Sequence, residues 1–573
     1  MNKRPVFFLS LLIVTAFATS TFAQTQNSVA KITSKDGKTA ATPSKAVRSE
    51  DIESDIAEAL SIIEASHVTG KKLNYNDVFK STIDGMLHTL DPHSNYFDSK
   101  EFEQFRTEQS SRYFGIGATI GDLSDADGKV LATYIRATFE NAPANRAGLR
   151  YGDKIIEVNG TNVIGKPFPD VRNMLRGPRG TPVKLVIERH GTGKRENVEI
   201  IRDAVPQPSI PEAYMIRPGV GYISMTGGFN QTTYAEFADA MRRLKASGMK
   251  ELVLDLKGNG GGLVNQAYKV ANTFLSSGQT VFTQVGRLDG VTEAYQAENP
   301  NPETLPLVVL VNRNSASASE ILAGALQDHD RALIVGENTF GKGLVQNPFI
   351  LDYGSMLLLT IAKYQTPSGR LIQRDYSDGN LYDYYTNGGV GNENTSKPKG
   401  PESKTDAGRA VYSGGGINPD VFIKADMITN DQARLQAKLA NPIFAFALDL
   451  AYGKVPGFEN YKVDKPIRFG YDIRSTDYPI SDVLFAALKE YANAKYKIPA
   501  VQFEKERKFV ERALRSELVT AAYGSTTSFQ VFNEYDTQLS KAIELLPQAK
   551  QLASEGAKAR MKMNASRVKG EMN

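Results

Sequence analysis

A run of small residues between an apolar strand and an apolar helix is the first candidate for chemistry. The run is Asn314-Ser315-Ala316-Ser317-Ala318-Ser319-Glu320, and Leu307–Val311 precedes it. A strand-to-helix turn of small residues lets a side chain project at the carboxyl end of a strand, where open α/β sheets place their sites. Ser317 with Glu320 three residues later also fits a helix capping box. The segment alone therefore predicts either a nucleophile or an ordinary helix start.

A lysine between two glycines is the second candidate. Thr339-Phe340-Gly341-Lys342-Gly343-Leu344-Val345-Gln346 begins shortly after the serine segment. An uncharged lysine can act as the base for a serine. Lowering a lysine pKa from about 10.4 to about 7 takes roughly 4 kcal/mol, which desolvation or a neighbouring positive charge must supply. The Gly-x-x-x-x-Gly-Lys-Ser/Thr pattern of a phosphate loop is incomplete here, since Gly343 follows Lys342 where the pattern requires serine or threonine.

A glycine run directly after an apolar strand is the third candidate. Glu251–Leu256 leads into Lys257-Gly258-Asn259-Gly260-Gly261-Gly262. Glycines without a Cβ let backbone N–H groups point into a cleft, as an oxyanion hole requires. A plain turn is the structural alternative.

These three segments together resemble the C-terminal processing peptidases, also called tail-specific proteases. The resemblance implies Ser317 as nucleophile, Lys342 as general base and Gln346 as the residue that orients the lysine. It also implies that the oxyanion is held by the N–H of Ala318 and of one glycine, with Gly261 and Gly262 as candidates. This chain has Lys257 where the family pattern has arginine, and Gly260 where proline is common. Which glycine donates is therefore left open.

The resemblance extends over about two thirds of the chain, from Leu90-Asp91-Pro92-His93-Ser94 to Gly415-Gly416-Ile417-Asn418-Pro419-Asp420. It implies a PDZ domain whose carboxylate-binding loop is Tyr113-Phe114-Gly115-Ile116-Gly117. Successive N–H groups in such a loop can capture a terminal carboxylate while the peptide adds a strand to the sheet edge. The expected partners are protein or peptide substrates with free C-terminal tails. A PDZ module that only packs against the core is the alternative.

Histidine is the competitor for the role of base. The candidates are His67, His88, His93, His190 and His329. His329 with Asp328 or Asp330 would complete a Ser-His-Asp triad, but it lies roughly 18 Å along a helix from Ser317. His93 beside Pro92 fits a structural turn. No cluster of His, Asp and Glu has metal-like spacing, so the sequence predicts no metal and no cofactor.

The surrounding elements predict a multidomain α/β and β protein: an α/β serine-protease core, a preceding PDZ domain, and helical N- and C-terminal regions. The predicted divisions are a signal peptide (1–23), a flexible linker (24–48), an N-terminal helical region (49–112), a PDZ domain (113–205), a peptidase core (206–425) with a loop insertion (376–412), and a helical C-terminal region (426–573). Helical spacing of Ile52, Ile56, Leu60 and Ile63 supports the first helical region.

Short alternating runs predict the strands of the PDZ domain: 115–120, 130–135, 154–158 and 183–188, with a helix over 170–175. In the core, near-continuous apolar runs predict strands buried on both faces at 251–256, 307–311, 333–335 and 356–362. A strand over 221–225 and a helix with Phe237, Ala240, Met241 and Leu244 on its inner face precede them. Residues 376–412 are rich in Gly, Asn, Tyr, Ser and Lys, which predicts a surface insertion or mobile loop.

Composition and the first residues bear on location and partners. Sixty-eight basic against 64 acidic residues leave a net charge of +4, which does not indicate nucleic-acid binding. Lys3 and Arg4, the apolar run from Val6 to Phe17, and Thr21-Phe22-Ala23 predict an export signal cleaved after Ala23 and a periplasmic or other extracytoplasmic protein. An uncleaved anchor is less consistent, since the apolar run is shorter than the roughly 20 residues of a membrane span. With no cysteine in the chain, disulfides, thiolate metal sites and cysteine nucleophiles are excluded.

Two functions from different classes follow. The first is an exported serine endopeptidase that recognises substrate tails through its PDZ domain and cuts by a Ser/Lys dyad through an acyl-enzyme. The alternative is a non-catalytic PDZ scaffold that keeps the protease fold. The C-terminal region carries no motif, which leaves a packed helical appendage with a basic tail, or homo-oligomerisation through the N- or C-terminal helices.

Overall fold

The computed structural model describes residues 48–377, 379, 381–386 and 400–571. The predicted signal 1–23 and nearly all of the predicted linker lie outside these residues. The chain divides into two compact units, whose described parts are residues 48–91 and 92–571. The first unit contains two helices, α1 (Ser49–Ser66) and α2 (Tyr75–His88), as the apolar spacing predicts. Asn74 begins α2 by accepting a hydrogen bond from the N–H of Asn76.

The second unit begins inside the segment predicted to be helical. Its first elements are β1 (Asn95–Phe97), α3 (Ser99–Gln109) and β2 (Arg112–Gly115). Strand β1 pairs antiparallel with residues 356–358 of the core. Residues 92–112 therefore belong with the predicted peptidase core, because three residues of backbone pairing tie them to one of its sheets.

The PDZ domain is a six-stranded antiparallel sheet with two short helices. Its elements are β3 (Ala118–Ser124), β4 (Val130–Thr138), α4 (Pro143–Arg146), β5 (Lys154–Val158), β6 (Thr161–Asn162), α5 (Phe168–Leu175), β7 (Pro182–Glu188) and β8 (Arg195–Ile201). The strand order is β3-β4-β5-β7-β8, with β6 on β5, so β3 lies at an edge. Val183, Leu185 and Ile187 alternate inward along β7, which is the periodicity that predicted it.

A two-stranded ribbon joins the PDZ domain to the core. Strand β2 pairs antiparallel with β9 (Asp203–Pro206). At its base, the N–H of Gln207 donates to the carbonyl of Ser111, and the Thr232 hydroxyl donates to the Ser111 hydroxyl, both at 2.7 Å. The domain therefore enters and leaves the core through adjacent strands.

The core alternates strands with helices around a mostly parallel sheet. Its elements are β10 (Glu212–Arg217), β11 (Val220–Ser224), α6 (Thr233–Ala246), β12 (Glu251–Asp255), α7 (Val264–Phe274), β13 (Thr280–Gly286), β14 (Glu293–Gln296), β15 (Leu307–Val311), α8 (Ala318–Asp328), β16 (Leu333–Gly336), β17 (Leu344–Ile350) and β18 (Met356–Gln365). The main sheet has the order β10-β11-β12-β15-β16 and ends with a short strand at residues 421–422. Strands β11, β12, β15 and β16 are parallel and buried, as predicted.

One predicted core strand has a different environment. Met356–Gln365 lies in a separate antiparallel sheet, in the order β1-β18-β13-β14 with β17 also on β18, and most of its residues are only half-buried. The prediction of burial on both faces is wrong for this strand. An apolar run does not distinguish a central parallel strand from a strand of a small antiparallel sheet with one solvated face.

The predicted loop insertion is structured where it is described. It contains α9 (Leu381–Thr386), β19 (Glu402–Lys404) and β20 (Ala410–Tyr412), and β21 (Val421–Phe422) follows. The turn between β19 and β20 packs on the end of α8: the N–H of Asp406 donates to the carbonyl of Asp328 at 2.9 Å, and Arg409 pairs with Asp330 at 2.5 Å. Strands β19 and β20 therefore form a hairpin that is packed on the core, because the buried Asp328 and Asp330 bind its turn. Residues 378, 380 and 387–399 of the insertion lie outside the described residues.

The C-terminal region is helical, as predicted. Its helices are α10 (Asn430–Ala451), α11 (Asp482–Tyr496), α12 (Ala500–Lys505), α13 (Arg507–Tyr523), α14 (Ser525–Asn533), α15 (Thr537–Glu544) and α16 (Leu546–Glu571). Helices α10 to α13 share an apolar cluster with the PDZ residues Ala132, Tyr134 and Tyr151. Helices α15 and α16 cover one face of the main sheet. No helix within the described ranges has both the length and the apolar character needed to cross a membrane.

Candidate active site

Ser317 occupies a strained turn at the carboxyl end of β15. It precedes α8 directly and has φ +56° and ψ −116°, a conformation that costs a non-glycine residue of order 1–3 kcal/mol. Its neighbours Ala316 and Ala318 are buried, whereas Ser317 is partly exposed. Strand-to-helix turns of this geometry present a nucleophile at the top of a sheet. The turn that the small residues predicted is therefore present, with the serine at its apex.

Glu320 connects the serine turn to the lysine loop. Its carboxylate Oε2 accepts hydrogen bonds from the backbone N–H of both Ser317 and Lys342, each at 2.8 Å. Oε1 accepts from the Thr339 hydroxyl at 2.6 Å and from the N–H of Gly341 at 2.7 Å. The N–H of Phe340 also donates to the carbonyl of Ser315 at 2.9 Å. Two segments that are separate in sequence thus meet around one fully buried side chain.

The same carboxylate is electrostatically unusual. Burial raises the pKa of Glu320 to about 7, although hydrogen bonds from Thr339 and from the three N–H groups favour the charged form. Sequence reasoning treated Glu320 as part of a helix cap. The structure gives it a larger role, because it holds the backbone of both proposed catalytic residues.

Lys342 lies on a closely packed turn. Gly341 has φ +89°, and a Cβ there would lie 3.0 Å from the backbone N of Gly416. A Cβ on Gly343 would lie 3.1 Å from the backbone N of Gln373. The flanking glycines therefore allow two other segments to approach the lysine backbone closely, and Lys342 itself is partly buried.

Aromatic and cationic groups surround this loop. His93 is buried against Phe340, Tyr384 and Tyr385, and its Nε2 lies 2.7 Å from the Tyr384 hydroxyl. Burial, followed by the positive charges of Lys342 and Arg374, lowers the pKa of His93 to about 2. Both cations therefore act on one buried imidazole. A second cation and an apolar environment are the two influences that favour an uncharged lysine.

Gln346, predicted to orient the lysine, lies on β17, just after a shift in pairing register. Its side-chain amide donates to the Thr360 hydroxyl at 3.4 Å, and the N–H of Thr360 donates to the Ser94 hydroxyl at 3.0 Å. The Leu90–Ser94 motif therefore reaches the site through Ser94 and His93. The orienting role of Gln346 stays a prediction.

The glycine run after β12 lies against the serine turn. A Cβ on Gly261 would come within 2.8 Å of the Ser317 Cβ and 2.7 Å of the Ala316 carbonyl oxygen. Gly262 has φ +134°, and its Cβ would overlap the carbonyl of Phe229 at 2.3 Å. Only glycine fits either position, so the run brings its backbone next to the serine.

The two predicted oxyanion glycines differ in their hydrogen bonds. The N–H of Gly261 already donates to the side-chain oxygen of Asn259 at 2.9 Å. The N–H groups of Gly262 and Ala318 donate to no acceptor within the described residues. Gly262 with Ala318 is therefore the better-matched pair of donors in this conformation, and the oxyanion assignment stays a prediction.

The predicted PDZ loop begins as a strand. Tyr113, Phe114 and Gly115 belong to β2, whereas Ile116 and Gly117 form the turn into β3. Gly117 has φ +73°, and a Cβ there would overlap that of Ala142 at 2.3 Å. In the described part of the chain, the N–H groups of Ile116 and Gly117 donate to no acceptor. Two adjacent N–H groups are thus available at the end of an edge strand.

His329, the rival base, does not meet Ser317. It ends α8 at the far end of the helix, with Nδ1 2.7 Å from Asp406 and Nε2 2.7 Å from the carbonyl of Thr280. Both ring nitrogens are engaged, so His329 joins the β19–β20 hairpin to the core. The other carboxylates and histidines of the described residues form no group of three or more that could hold a metal ion.

Comparison with known proteins yields matches over the core and the PDZ domain. Residues 219–383 match peptidase family S41, and residues 135–189 match a PDZ domain. The chain is 37% identical over 305 residues to the carboxy-terminal processing protease CtpA of Bacillus subtilis, covering 53% of this chain and 63% of that protein. It is 34% identical over 300 residues to a carboxy-terminal-processing protease of Bartonella bacilliformis, covering 52% of this chain and 67% of that protein.

A solved structure, the photosystem II D1 C-terminal processing protease, aligns with 26% identity and a TM-score of 0.32, covering 66% of this chain and 94% of that one. The chain spans about two thirds of the length of the two curated relatives.

Proposed function

We propose a function from one premise: this chain belongs to peptidase family S41, together with the carboxy-terminal processing proteases. The proposed function is an exported serine endopeptidase that recognises the C-terminal tails of its substrates through the PDZ domain. The observation that carries the proposal is the convergence of Ser317 and Lys342 on the buried carboxylate of Glu320. A scaffold without catalysis would not need a strained serine beside a glycine-flanked lysine.

In the proposed reaction, Lys342 Nζ takes the proton of the Ser317 hydroxyl, and Oγ bonds to the scissile carbonyl carbon. The N–H groups of Ala318 and Gly262 donate to the resulting oxyanion. The C–N bond then breaks, and the protonated lysine returns its proton to the leaving amine. Water, deprotonated by the same lysine, attacks the acyl-enzyme and releases the carboxylic acid and free Ser317.

Three features support a lysine base. The loop is closely packed, the neighbouring Arg374 is a second cation, and the nearby His93 is buried among aromatic rings. Arg374 lies over the Phe340 ring at 4.3 Å, and burial lowers the pKa of its guanidinium. Poor solvation and a nearby cation are the influences that would favour an uncharged Lys342.

Tail recognition is supported by the edge of the PDZ sheet. A peptide strand added to β3 would end at the turn where the N–H groups of Ile116 and Gly117 are available for a terminal carboxylate. At the other end of β3, the side-chain amide of Asn441 bonds both the N–H and the carbonyl of Ser124, at 3.0 and 2.6 Å. The helix α10 thereby closes the far end of the edge and leaves the part nearest the turn for the peptide.

Export rests on the sequence of residues 1–23 alone. N-terminal sequencing of the protein recovered from an extracytoplasmic fraction tests it. A mature chain that begins after Ala23 is expected. A chain found only inside the cell with its N-terminus intact would contradict export.

The test of catalysis is the hydrolysis of a peptide with a free C-terminal tail, together with labelling by a fluorophosphonate. The intact protein should hydrolyse the peptide and be labelled at Ser317. Ser317→Ala should lose both activities, and Lys342→Ala should lose hydrolysis by several orders of magnitude. A folded intact protein that neither hydrolyses nor reacts would favour the scaffold.

The test of tail recognition uses the same peptide with its terminal carboxylate amidated. If the PDZ turn captures the carboxylate, amidation should weaken cleavage of the tailed peptide. Gly117→Ala should have a similar effect, because its Cβ would overlap that of Ala142. Equal cleavage of both peptides would contradict this part of the proposal and leave the catalytic part intact.

A further inference from the structure

We propose that Asp536, in the C-terminal helical region, is a positioning residue for the glycine run beside Ser317. The inference rests on the proposed peptidase function and adds a residue from a part of the chain that the peptidase match does not reach. It acts through Lys257, the residue that stands in place of the usual arginine.

Lys257 lies between two carboxylates from different parts of the chain. Its ammonium group forms an ion pair with Asp536 and lies 3.5 Å from Asp255. The Lys257 side chain is 14% exposed and that of Asp255 is 5% exposed, so neither is well solvated. Asp255 is also held by the Tyr222 hydroxyl at 2.9 Å and by the N–H of Lys257 at 2.8 Å. Asp255 comes from the strand that precedes Lys257, so Asp536 is the carboxylate that ties the lysine to the C-terminal helical region.

The two residues that follow Lys257 in the chain are hydrogen-bonded to the serine turn and its surroundings. The N–H of Gly258 donates to the side chain of Asn312 at 3.0 Å. The carbonyl of Asn259 accepts from the N–H of Ala316 at 3.0 Å and from the Ser319 hydroxyl at 2.9 Å. The Asn259 side chain bonds the carbonyl of Met225 and the N–H of Gly261. A displacement at Lys257 therefore moves the glycine backbone against the nucleophile.

Asp536 is itself firmly placed. It caps α15, since its Oδ1 accepts from the N–H of Leu539 at 2.9 Å while Oδ2 pairs with Lys257. Three residues earlier, the Asn533 amide donates to Glu212 and to the Tyr214 hydroxyl, at 3.3 and 3.0 Å. Two residues later, Gln538 donates to the carbonyl of Ile423 at 2.7 Å. The turn before α15 is thus attached to the core on both sides of the aspartate.

The contact lies at the edge of the sheet that carries the site. Glu212, Ser224 and Asp255 are paired across β10, β11 and β12, at the carboxyl ends of the two parallel strands. Asn533 donates directly to Glu212. Asp536 binds Lys257, which in turn lies beside Asp255. Removing a partner from a poorly solvated ion pair leaves a charge that moves toward water. Here that movement would carry the start of the glycine run with it.

Asp536→Asn provides a selective test, because asparagine caps a helix as well as aspartate does and only the charge is lost. In the full chain, we expect kcat for a tailed peptide to fall at least about 10-fold while KM changes less than about twofold, as a loss of oxyanion geometry requires. The affinity of a peptide boronate, whose tetrahedral adduct places an oxygen at the oxyanion position, should fall by a similar factor. Asp536→Glu, which keeps the charge, should recover at least about half of the wild-type kcat.

Asp98→Asn is the matched control. Asp98 also caps a helix, α3, through the N–H of Glu101 at 2.8 Å, and it takes no part in the glycine run. Its kcat and boronate affinity should remain at wild-type values. Asp536→Ala should match the kcat of Asp536→Asn but unfold at a lower temperature, since it also loses the cap.

Two results would overturn the proposal: wild-type kcat in Asp536→Asn, or equal losses in Asp536→Asn and Asp536→Glu. Neither result touches the proposed function, which fails only if the intact protein does not hydrolyse peptides.

Discussion

The loops at Ser317 and Lys342 and the proposed recognition loop of the PDZ domain are held by different means. Ser317 and Lys342 both depend on Glu320, whose two oxygens accept four hydrogen bonds in a fully buried position. The PDZ loop is positioned by a glycine turn and a strand ribbon, and the rest of the PDZ domain makes separate contacts with α10 and α13. Concentrated support fixes the geometry proposed for the reaction, whereas dispersed support would let the proposed recognition loop adjust to different tails.

The C-terminal region illustrates the dispersed kind of support. Glu517 on α13 pairs with Arg136 and accepts from the Tyr151 hydroxyl at 2.9 Å. Arg136 also lies over the Phe444 ring at 3.4 Å, and His190 lies 3.1 Å from Asp449. The charged members of these contacts are all partly exposed. Loss of any one should therefore shift the PDZ domain less than the loss of Glu320 shifts the catalytic loops.

The largest expected effect comes from Glu320→Gln. The amide nitrogen of glutamine cannot accept, so two of the four donors would lose their acceptor and face another donor. We expect kcat/KM to fall at least about 100-fold, by misplacement of both loops. The free energy of unfolding should fall by about 2–4 kcal/mol, from donors left buried without partners. Peptide hydrolysis measures the change in kcat/KM, and urea unfolding measures the change in the free energy of unfolding.

Glu337→Gln is the matched control, since Glu337 is also buried but, among the described residues, its side chain accepts a single bond, of 3.4 Å, from the N–H of Ala425. Equal losses of kcat/KM and of unfolding free energy in the two variants would show that Glu320 supports the two loops no more than another buried glutamate does.

The pKa of Glu320 predicts a dependence of stability on pH. Its folded value of about 7 lies above the ordinary value of 4.5, so between these values the folded protein keeps a proton that the unfolded chain releases. Raising the pH through this window therefore destabilises the folded state, by about 3 kcal/mol over the whole shift. The difference in unfolding free energy between Ser317→Ala and Ser317→Ala/Glu320→Gln should be larger at pH 5 than at pH 8. A difference that does not change with pH, or that grows toward pH 8, would refute the raised pKa.

Sequence patterns predicted the segments that we propose for catalysis, because Ser317, Lys342 and the glycine run each follow a recognisable strand. They could not identify the role of Glu320, since a glutamate three residues after a serine has the same pattern in any capping box. The Lys257–Asp536 contact was also beyond prediction: its partners are far apart in the chain, and the C-terminal region has no motif. The hairpin after α9 was mistaken for a loop because its polar residues are satisfied by buried aspartates, which composition does not reveal.

A smaller effect is expected from Glu517→Gln. The amide can still accept from Tyr151, but the ion pair with Arg136 is lost, which should cost about 1 kcal/mol in a partly exposed position. A looser PDZ domain should change KM for a tailed peptide by up to about fivefold and leave an untailed peptide unaffected. Hydrogen exchange in β4 should increase.

The matched control is Glu511→Gln on the same helix, because Glu511 forms its ion pair with Arg507 of that helix, at 2.7 Å, and not with a PDZ residue. If Glu517→Gln changed KM equally for tailed and untailed peptides, the contacts of the PDZ domain with α13 would support the active site itself and not only the proposed recognition loop.

The smallest effect on catalysis is expected from His329→Ala, at the opposite end of α8 from Glu320. Its ring nitrogens bond Asp406 and the carbonyl of Thr280, so the variant should lose about 1–3 kcal/mol of stability through unpaired groups. Its kcat should stay within about twofold of the intact protein, because α8 meets the serine only at its first turn. Lys342→Ala, measured beside it, should lose nearly all activity while unfolding at a similar temperature. The opposite pattern, with activity kept in Lys342→Ala and lost in His329→Ala, would replace the lysine with a histidine triad and move the support of the nucleophile to the other end of the helix.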